Sequence, residues 1–109
     1  MNCIFCKIAN KEMKSSFVLE SDNVVAFDDI APQAPAHVVV IPRAHVTDIS
    51  KLGGLLPELF AAISKVAGIK GIEGSGFRIV MNKGKNAGQA VEHLHFHVLG
   101  GRPLNWPPG

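Results

Sequence analysis

Apolar and polar positions alternate most sharply near the C-terminus, in His93-Leu94-His95-Phe96-His97-Val98-Leu99. A β-strand sends alternate side chains to opposite faces, so His93, His95 and His97 line one face. Leu94, Phe96 and Val98 then enter a core. A helix would scatter the same histidines, and the β-branched and aromatic neighbours also favour a strand. Successive imidazoles on such a face stand about 7 Å apart. Ala36 to Pro42 follows a different rule: Val38-Val39-Val40-Ile41 is apolar on both faces and predicts a central strand. Residues 16–20 and 23–27 predict a hairpin turning at Ser21-Asp22, and residues 77–82 a further strand. The one substantial helix is expected over residues 57–69, with Pro57 in its first turn. Its apolar residues Leu59, Phe60, Ile63, Val66, Ala67 and Ile69 cover a wide arc. Such a helix packs on the sheet and on something else, most simply a second copy of the chain. Cys3 to Ile8 reads as one or two helical turns.

The connections carry their own signals. Gly68, Gly71, Gly74 and Gly76 stop the helix, and no GxxxxGK[ST] phosphate loop can be fitted there. Asp28-Asp29-Ile30-Ala31-Pro32-Gln33-Ala34-Pro35 is a loop, whose acidic pair reads as a solvated turn in preference to a sugar contact. Residues 83–89 form a glycine-containing loop whose N–H groups and two lysines suit an anion, although a flexible connector has the same composition. After Gly100-Gly101 the tail is extended and proline-rich. Its Trp106 is expected to dock on its own domain or on a partner.

Length and charge narrow the class. The 109 residues make one domain, with the extended tail beginning at about residue 100. Eleven basic and nine acidic residues give a net charge of +2, without a long run of like charge. That argues against nucleic acid or a membrane surface as partner and leaves room for a small anionic ligand. Charged residues are 18%, below the usual quarter, which again points to an oligomer. No signal-peptide pattern and no bilayer-spanning run is visible, so the cytoplasm, where thiols stay reduced, is the expected compartment.

Five histidines and two cysteines carry the candidate chemistry. Cys3 and Cys6, three apart, can grip one zinc ion, with histidines as the candidates for its missing ligands. Two buried thiols without metal are the alternative. A thioredoxin-type pair would follow a strand, and none precedes this one. His37 reads as a satisfied core histidine, and His45 as a loop histidine able to reach across. The histidine row suits a metal, an acid–base pair or an anionic substrate. Beside a glycine loop, phosphorus chemistry fits well: a neutral imidazole can attack phosphorus and later leave. Its other nitrogen must be held by an acceptor, and the middle histidine is the best placed. No GxSxG is present, so a serine hydrolase is not supported.

The pattern His-φ-His-φ-His-φ-φ at residues 93–99 resembles the signature of the histidine-triad (HIT) superfamily. The likeness extends through Cys3-Ile4-Phe5-Cys6-Lys7-Ile8, residues 27–37, Ile41-Pro42-Arg43-Ala44-His45, and Asn82 with Ala87-Gly88-Gln89. The tail Leu99-Gly100-Gly101-Arg102-Pro103-Leu104-Asn105-Trp106-Pro107-Pro108-Gly109 resembles the Hint branch in particular. The resemblance implies an α+β fold: a five-stranded antiparallel sheet, one main helix and a short N-terminal helix, paired as a homodimer. It implies hydrolysis of purine nucleoside 5′-phosphoramidates, with AMP or GMP as the nucleotide. His95 would be the nucleophile, with its distal N–H on the main-chain carbonyl of His93. His97 would bind a phosphate oxygen, near Asn82, Gly88 and Gln89, and His37 would support the histidines. Asp29 would take the ribose hydroxyls, reversing the turn reading of that acidic pair. Phe5, Ile8, Phe27 and Ile30 would line the base pocket, and Trp106 would lie near the partner's site.

Two features set this chain apart within the branch. Ala90 stands where many Hint proteins carry a serine beside the glycine–glutamine pair. Cys3, Cys6, His45 and His93 match the zinc ligands of those relatives that bind zinc, and four protein ligands leave no open position for metal catalysis. The metal would be structural, and no catalytic cofactor is implied. Competing readings are a dinucleoside polyphosphate hydrolase and a zinc-stapled nucleotide-binding or scaffolding module.

Overall fold

The computed structural model describes residues 3–109. The chain runs α1 (Ile4–Ala9), β1 (Phe17–Glu20), β2 (Val24–Asp28), β3 (Ala36–Pro42), α2 (Leu55–Ile69), β4 (Phe77–Val80) and β5 (Phe96–Gly100). Two short 3₁₀ turns, Ile49–Lys51 and Lys85–Ala87, lie in the connections. All strand pairs are antiparallel, and the single sheet has the order β1-β2-β3-β5-β4.

The doubly apolar β3 is central because a helix covers each side of it. Val38 and Val40 join a core with Val24, Ala26, Leu94, Phe96 and Val98 that packs on Leu59, Ile63 and Val66 of α2. Val39 and Ile41 point the other way, with Val25 and Phe27, onto Ile8 and Ala9 of α1. Every residue of β3 is buried. Alternation along one strand thus serves two cores.

Three boundaries differ from the sequence expectation by two residues or more. The helix α2 starts at Leu55, so Pro57 sits at its third position, where the N–H it lacks would have no intrahelical partner anyway. β4 stops at Val80, before Met81-Asn82. The third concerns the histidines: β5 begins only at Phe96, so His93 and His95 precede the strand. The β3–β5 ladder ends at Val40↔Phe96, and the Leu94 N–H bonds the Val46 carbonyl at 2.7 Å instead. The extended backbone still alternates, since Leu94 and Phe96 are buried in the α2 core. The three histidines therefore share a face although only His97 lies in the ladder.

Phe60 and Ile69 of α2, and Phe77 and Ile79 of the edge strand β4, remain exposed. Among the described residues no helix is long and apolar enough to cross a membrane.

Candidate active site

The chain brings three imidazoles, His37, His95 and His97, into one contact network on the α1 side of the sheet, and His93 joins it through its carbonyl. His95 stands 5.0 Å from His97 between ring centroids, and His97 stands 5.1 Å from His37. Backbone groups decide which nitrogen of each ring carries the proton. His95 Nδ1 lies 2.8 Å from the His93 carbonyl, which can only accept, so Nδ1–H donates and Nε2 keeps its lone pair. His37 has the opposite arrangement: its Nδ1 accepts from the Gln33 N–H at 3.0 Å. Its Nε2–H then donates to His97 Nδ1 at 2.8 Å, which leaves the proton of His97 on Nε2. Phe5 lies edge-on to His95, with centroids 5.0 Å apart. Burial pushes His37 and His97 below the ordinary histidine value, opposed in both by the Asp29 carboxylate. For His97 the neighbouring His95 and His37 add to the depression. Both rings are neutral at pH 7.

Asp29 sits directly after β2. Its Oδ2 is 3.4 Å from His37 Nε2 and 3.9 Å from His97 Nδ1. Its Oδ1 accepts the Ala31 N–H at 2.9 Å, closing an Asx turn. Beside it opens a cavity of about 140 Å³ lined by Phe5, Ile8, Phe27, Asp29 and Ile30, with Ile30 fully exposed at its edge. The loop over residues 83–89 is shaped by Gln89: its Oε1 accepts the Gly84 N–H at 2.8 Å, and its Nε2 donates to the Val91 carbonyl at 3.0 Å. The Gln89 amide is thereby engaged in holding the loop. Gly88 turns it with φ +77°, a conformation that suits glycine. Lys83 reaches away, to the Thr47 carbonyl at 2.9 Å. Asn82 is half-buried after β4, while Trp106 is 81% exposed in the single chain.

A second cluster lies behind His95. The donor atoms of Cys3, Cys6, His45 and His93 all fall within 4.8 Å of one another. His93 Nδ1 is 3.4 Å from Cys3 Sγ and 3.5 Å from Cys6 Sγ, and His45 Nδ1 is 3.3 Å from Cys6 Sγ. Zinc bonds of about 2.3 Å to sulfur and about 2.0 Å to nitrogen give tetrahedral S–N edges of roughly 3.5 Å. His93 is also oriented as a ligand: its Nε2–H donates to the Pro42 carbonyl at 2.7 Å, so the Nδ1 lone pair faces the thiols. Burial, reinforced by a hydrogen bond and negative charge from Cys3, pushes the Cys6 thiol up. Two thiolates so close need a cation between them. The four residues fit a closed zinc site.

Asp29, His37 and His97 also converge within metal-ligand distance. His37 Nε2 carries the proton that Nδ1, occupied by the Gln33 N–H, cannot hold. That nitrogen has no lone pair to offer a metal.

The HIT domain family model matches residues 10–104. The chain belongs to the HIT family. It is 44% identical to an uncharacterised HIT-like protein of Synechocystis, over 97% of this chain and 96% of that one. It is 44% identical to the adenylylsulfatase HINT1 of Arabidopsis thaliana, over 97% of this chain and 76% of that protein. Among solved structures, a HIT family hydrolase from Legionella pneumophila superposes with a TM-score of 0.94 at 42% identity, covering 99% of this chain and 100% of that one. A histidine triad protein from Clostridium difficile gives 0.91 at 41% identity, covering 96% and 95%. The HIT fold, with its antiparallel sheet, main helix and short N-terminal helix, is the one expected.

Of the residues singled out in the sequence, this HIT domain gathers His37, His95, His97, Asp29 and Phe5 at one place. Ile8, Phe27 and Ile30 line the adjoining cavity. Ala90 does not line that cavity but borders another, of about 410 Å³, that it shares with Cys3, His45, Glu92 and His93. Gln33 and Pro42, which orient His37 and His93, act through backbone atoms, which leave no residue signature in the sequence.

Proposed function

We propose that this HIT domain hydrolyses purine nucleoside 5′-phosphoramidates, releasing AMP or GMP and a free amine. One observation supports it above the rest: the His93 carbonyl accepts the Nδ1–H of His95, which leaves Nε2 unprotonated. That nitrogen attacks phosphorus as the P–N bond breaks, and the amine nitrogen takes a proton from solvent as it departs, a proton that the attacking water gives back in the second step. His97 Nε2–H stabilises charge on a non-bridging oxygen, as an already oriented donor. Water then displaces His95 and releases the nucleotide. The apolar cavity beside Phe5 receives the base, Asp29 the ribose hydroxyls, and the Gly88-Gln89 loop with Asn82 the phosphate.

Zinc held by Cys3, Cys6, His45 and His93 would supply no chemistry to the reaction, since four protein ligands would close its coordination; those residues would use it to fasten α1 to the sheet. The apolar residues left exposed on α2 and β4 favour a homodimer, with Trp106 turned towards the partner's site. A second substrate comes from the adenylylsulfatase relative. The same nucleophile can displace sulfate from adenylyl sulfate, because the attack is on the shared phosphorus.

The test is turnover of a fluorogenic adenosine 5′-phosphoramidate beside adenylyl sulfate and diadenosine polyphosphate, with the parent and His95→Ala. Fastest cleavage of the P–N bond, abolished in the variant, is expected. Faster turnover of either other substrate transfers the assignment to it. AMP binding without any turnover leaves a nucleotide-binding module.

A further inference from the structure

The loop between β2 and β3 carries both Asp29 and the Gln33 N–H, and the C-terminal tail grips this loop from outside. Arg102 donates to the Gln33 carbonyl from Nε at 3.2 Å and from Nη2 at 2.8 Å. Its Nη1 donates to the Pro103 carbonyl at 3.0 Å. The register of the sheet delivers the tail there, since Ala36 pairs with Gly100 at the end of β5. Gly101 completes the approach: its φ is +92°, and a Cβ on it would stand 2.9 Å from Pro35 Cβ. Only glycine permits both.

From Gln33 the hydrogen bonds run inward to His37 and then to His97. We propose that Arg102 is a positioning residue for His97: its fork on the Gln33 carbonyl holds the Gln33 N–H on His37 Nδ1, which leaves His97 presenting Nε2–H to the substrate. Each link is directional. Without the Gln33 donor, His37 is free to carry its proton on Nδ1, and its bare Nε2 then faces His97 Nδ1. Their contact survives only if His97 moves its proton to Nδ1. His97 Nε2 would then meet a phosphate oxygen as a lone pair, and attraction would become repulsion. The value of this link to catalysis rests on the proposed hydrolase reading, but the link itself does not.

A planar guanidinium suits the task, because two N–H groups converge on one carbonyl and set its direction, whereas an ammonium gives a point contact. The loop also has bonds of its own, from the Ala31 N–H to Asp29 Oδ1 at 2.9 Å and from Gln33 Nε2 to the Ala31 carbonyl at 3.0 Å. Arg102 is exposed, so its replacement leaves the fold standing and releases only the clamp.

The experiment reads the ring nitrogens of His37 and His97 by ¹⁵N NMR on the full, zinc-loaded chain at about pH 8, above the ordinary histidine value. It compares the parent with Arg102→Met, Arg102→Lys and Arg78→Met. Arg78 holds the tail further along, through the Asn105 carbonyl at 3.0 Å, and does not touch Gln33. The parent and Arg78→Met are expected to show both rings as Nε2–H. Arg102→Met is expected to show mixed tautomers and a kcat lower by about fivefold with KM little changed, and Arg102→Lys to fall between. Unchanged tautomers in Arg102→Met overturn the clamp, and so does equal mixing in Arg78→Met. Mixed tautomers in Arg102→Met, beside a parent that keeps both rings as Nε2–H but turns over no nucleotide, uphold the clamp and remove the hydrolase reading instead.

Discussion

His93 and His95 are two residues apart on one face, yet the structure gives them opposite chemistry. His93 donates from Nε2 to the Pro42 carbonyl and turns its Nδ1 lone pair towards two thiols. His95 donates from Nδ1 to the His93 carbonyl and keeps its lone pair on Nε2, with the His97 ring 5.0 Å away. Neither difference resides in the residue type. A carbonyl placed at one ring nitrogen decides which nitrogen keeps its lone pair, for a metal in the one case and, on the proposed reading, for phosphorus in the other. The metal cluster and the reaction site are thus neighbours built on one rule, and each can be broken separately.

Removing the nucleophile gives the largest separation between the two. His95→Ala is expected to lower phosphoramidate turnover by about a thousandfold or more, while zinc content stays at one ion per chain. Rate measurement beside metal analysis checks both halves. The opposite cut is Cys6→Ser, or a chelator acting on the parent. Zinc content is expected to fall and the melting temperature to drop by about 10 °C, because the ion binds the folded chain alone. Turnover at low temperature should suffer far less than in His95→Ala. A chelator that left the melting point untouched would remove the structural zinc from this account.

How far the comparison was visible in advance follows from its physics. The alternation at residues 93–99 revealed the shared histidine face, and the doubly apolar run at Val38-Val39-Val40-Ile41 revealed the central strand, because side-chain periodicity is written in the sequence. The start of β5 was not legible. It depends on where the ladder to β3 ends, which is set by the Leu94 N–H turning to the Val46 carbonyl. Cys3 and Cys6 signalled a metal, but spacing alone did not select His45 and His93. Their choice came with the family resemblance, and the structure then placed all four donors together. The tautomers were the least legible of all. They depend on the Pro42 and His93 carbonyls and on the Gln33 N–H, groups that every residue of those types carries.

Acid should affect the reaction site through His37 and His97. Burial holds both below the ordinary histidine value of 6.5 in the folded chain. At neutral pH both states leave the rings uncharged, and no stability depends on them. As pH falls below 6.5 the unfolded chain takes up protons first, so stability is lost until the folded rings protonate too. His97→Gln removes one such group, and its melting temperature should decline less steeply than the parent's between about pH 7 and 5. Parallel declines would place the acid sensitivity elsewhere, including the thiol and imidazole ligands of the metal cluster.

The smallest effect concerns Ala90, which borders the metal cluster and not the apolar cavity. The exposed position accepts a serine without crowding. An added hydroxyl contributes about 1 kcal/mol where it meets a polar group, so Ala90→Ser is expected to raise kcat by about threefold to fivefold. The gain should be larger for an alkylamine, a poor leaving group that needs help to take up its proton, than for an aromatic amine. Because residue 90 does not line the base cavity, KM for the shared nucleotide should not move. A change in KM with kcat fixed would instead bring residue 90 into nucleotide binding and shift the boundary between the two regions.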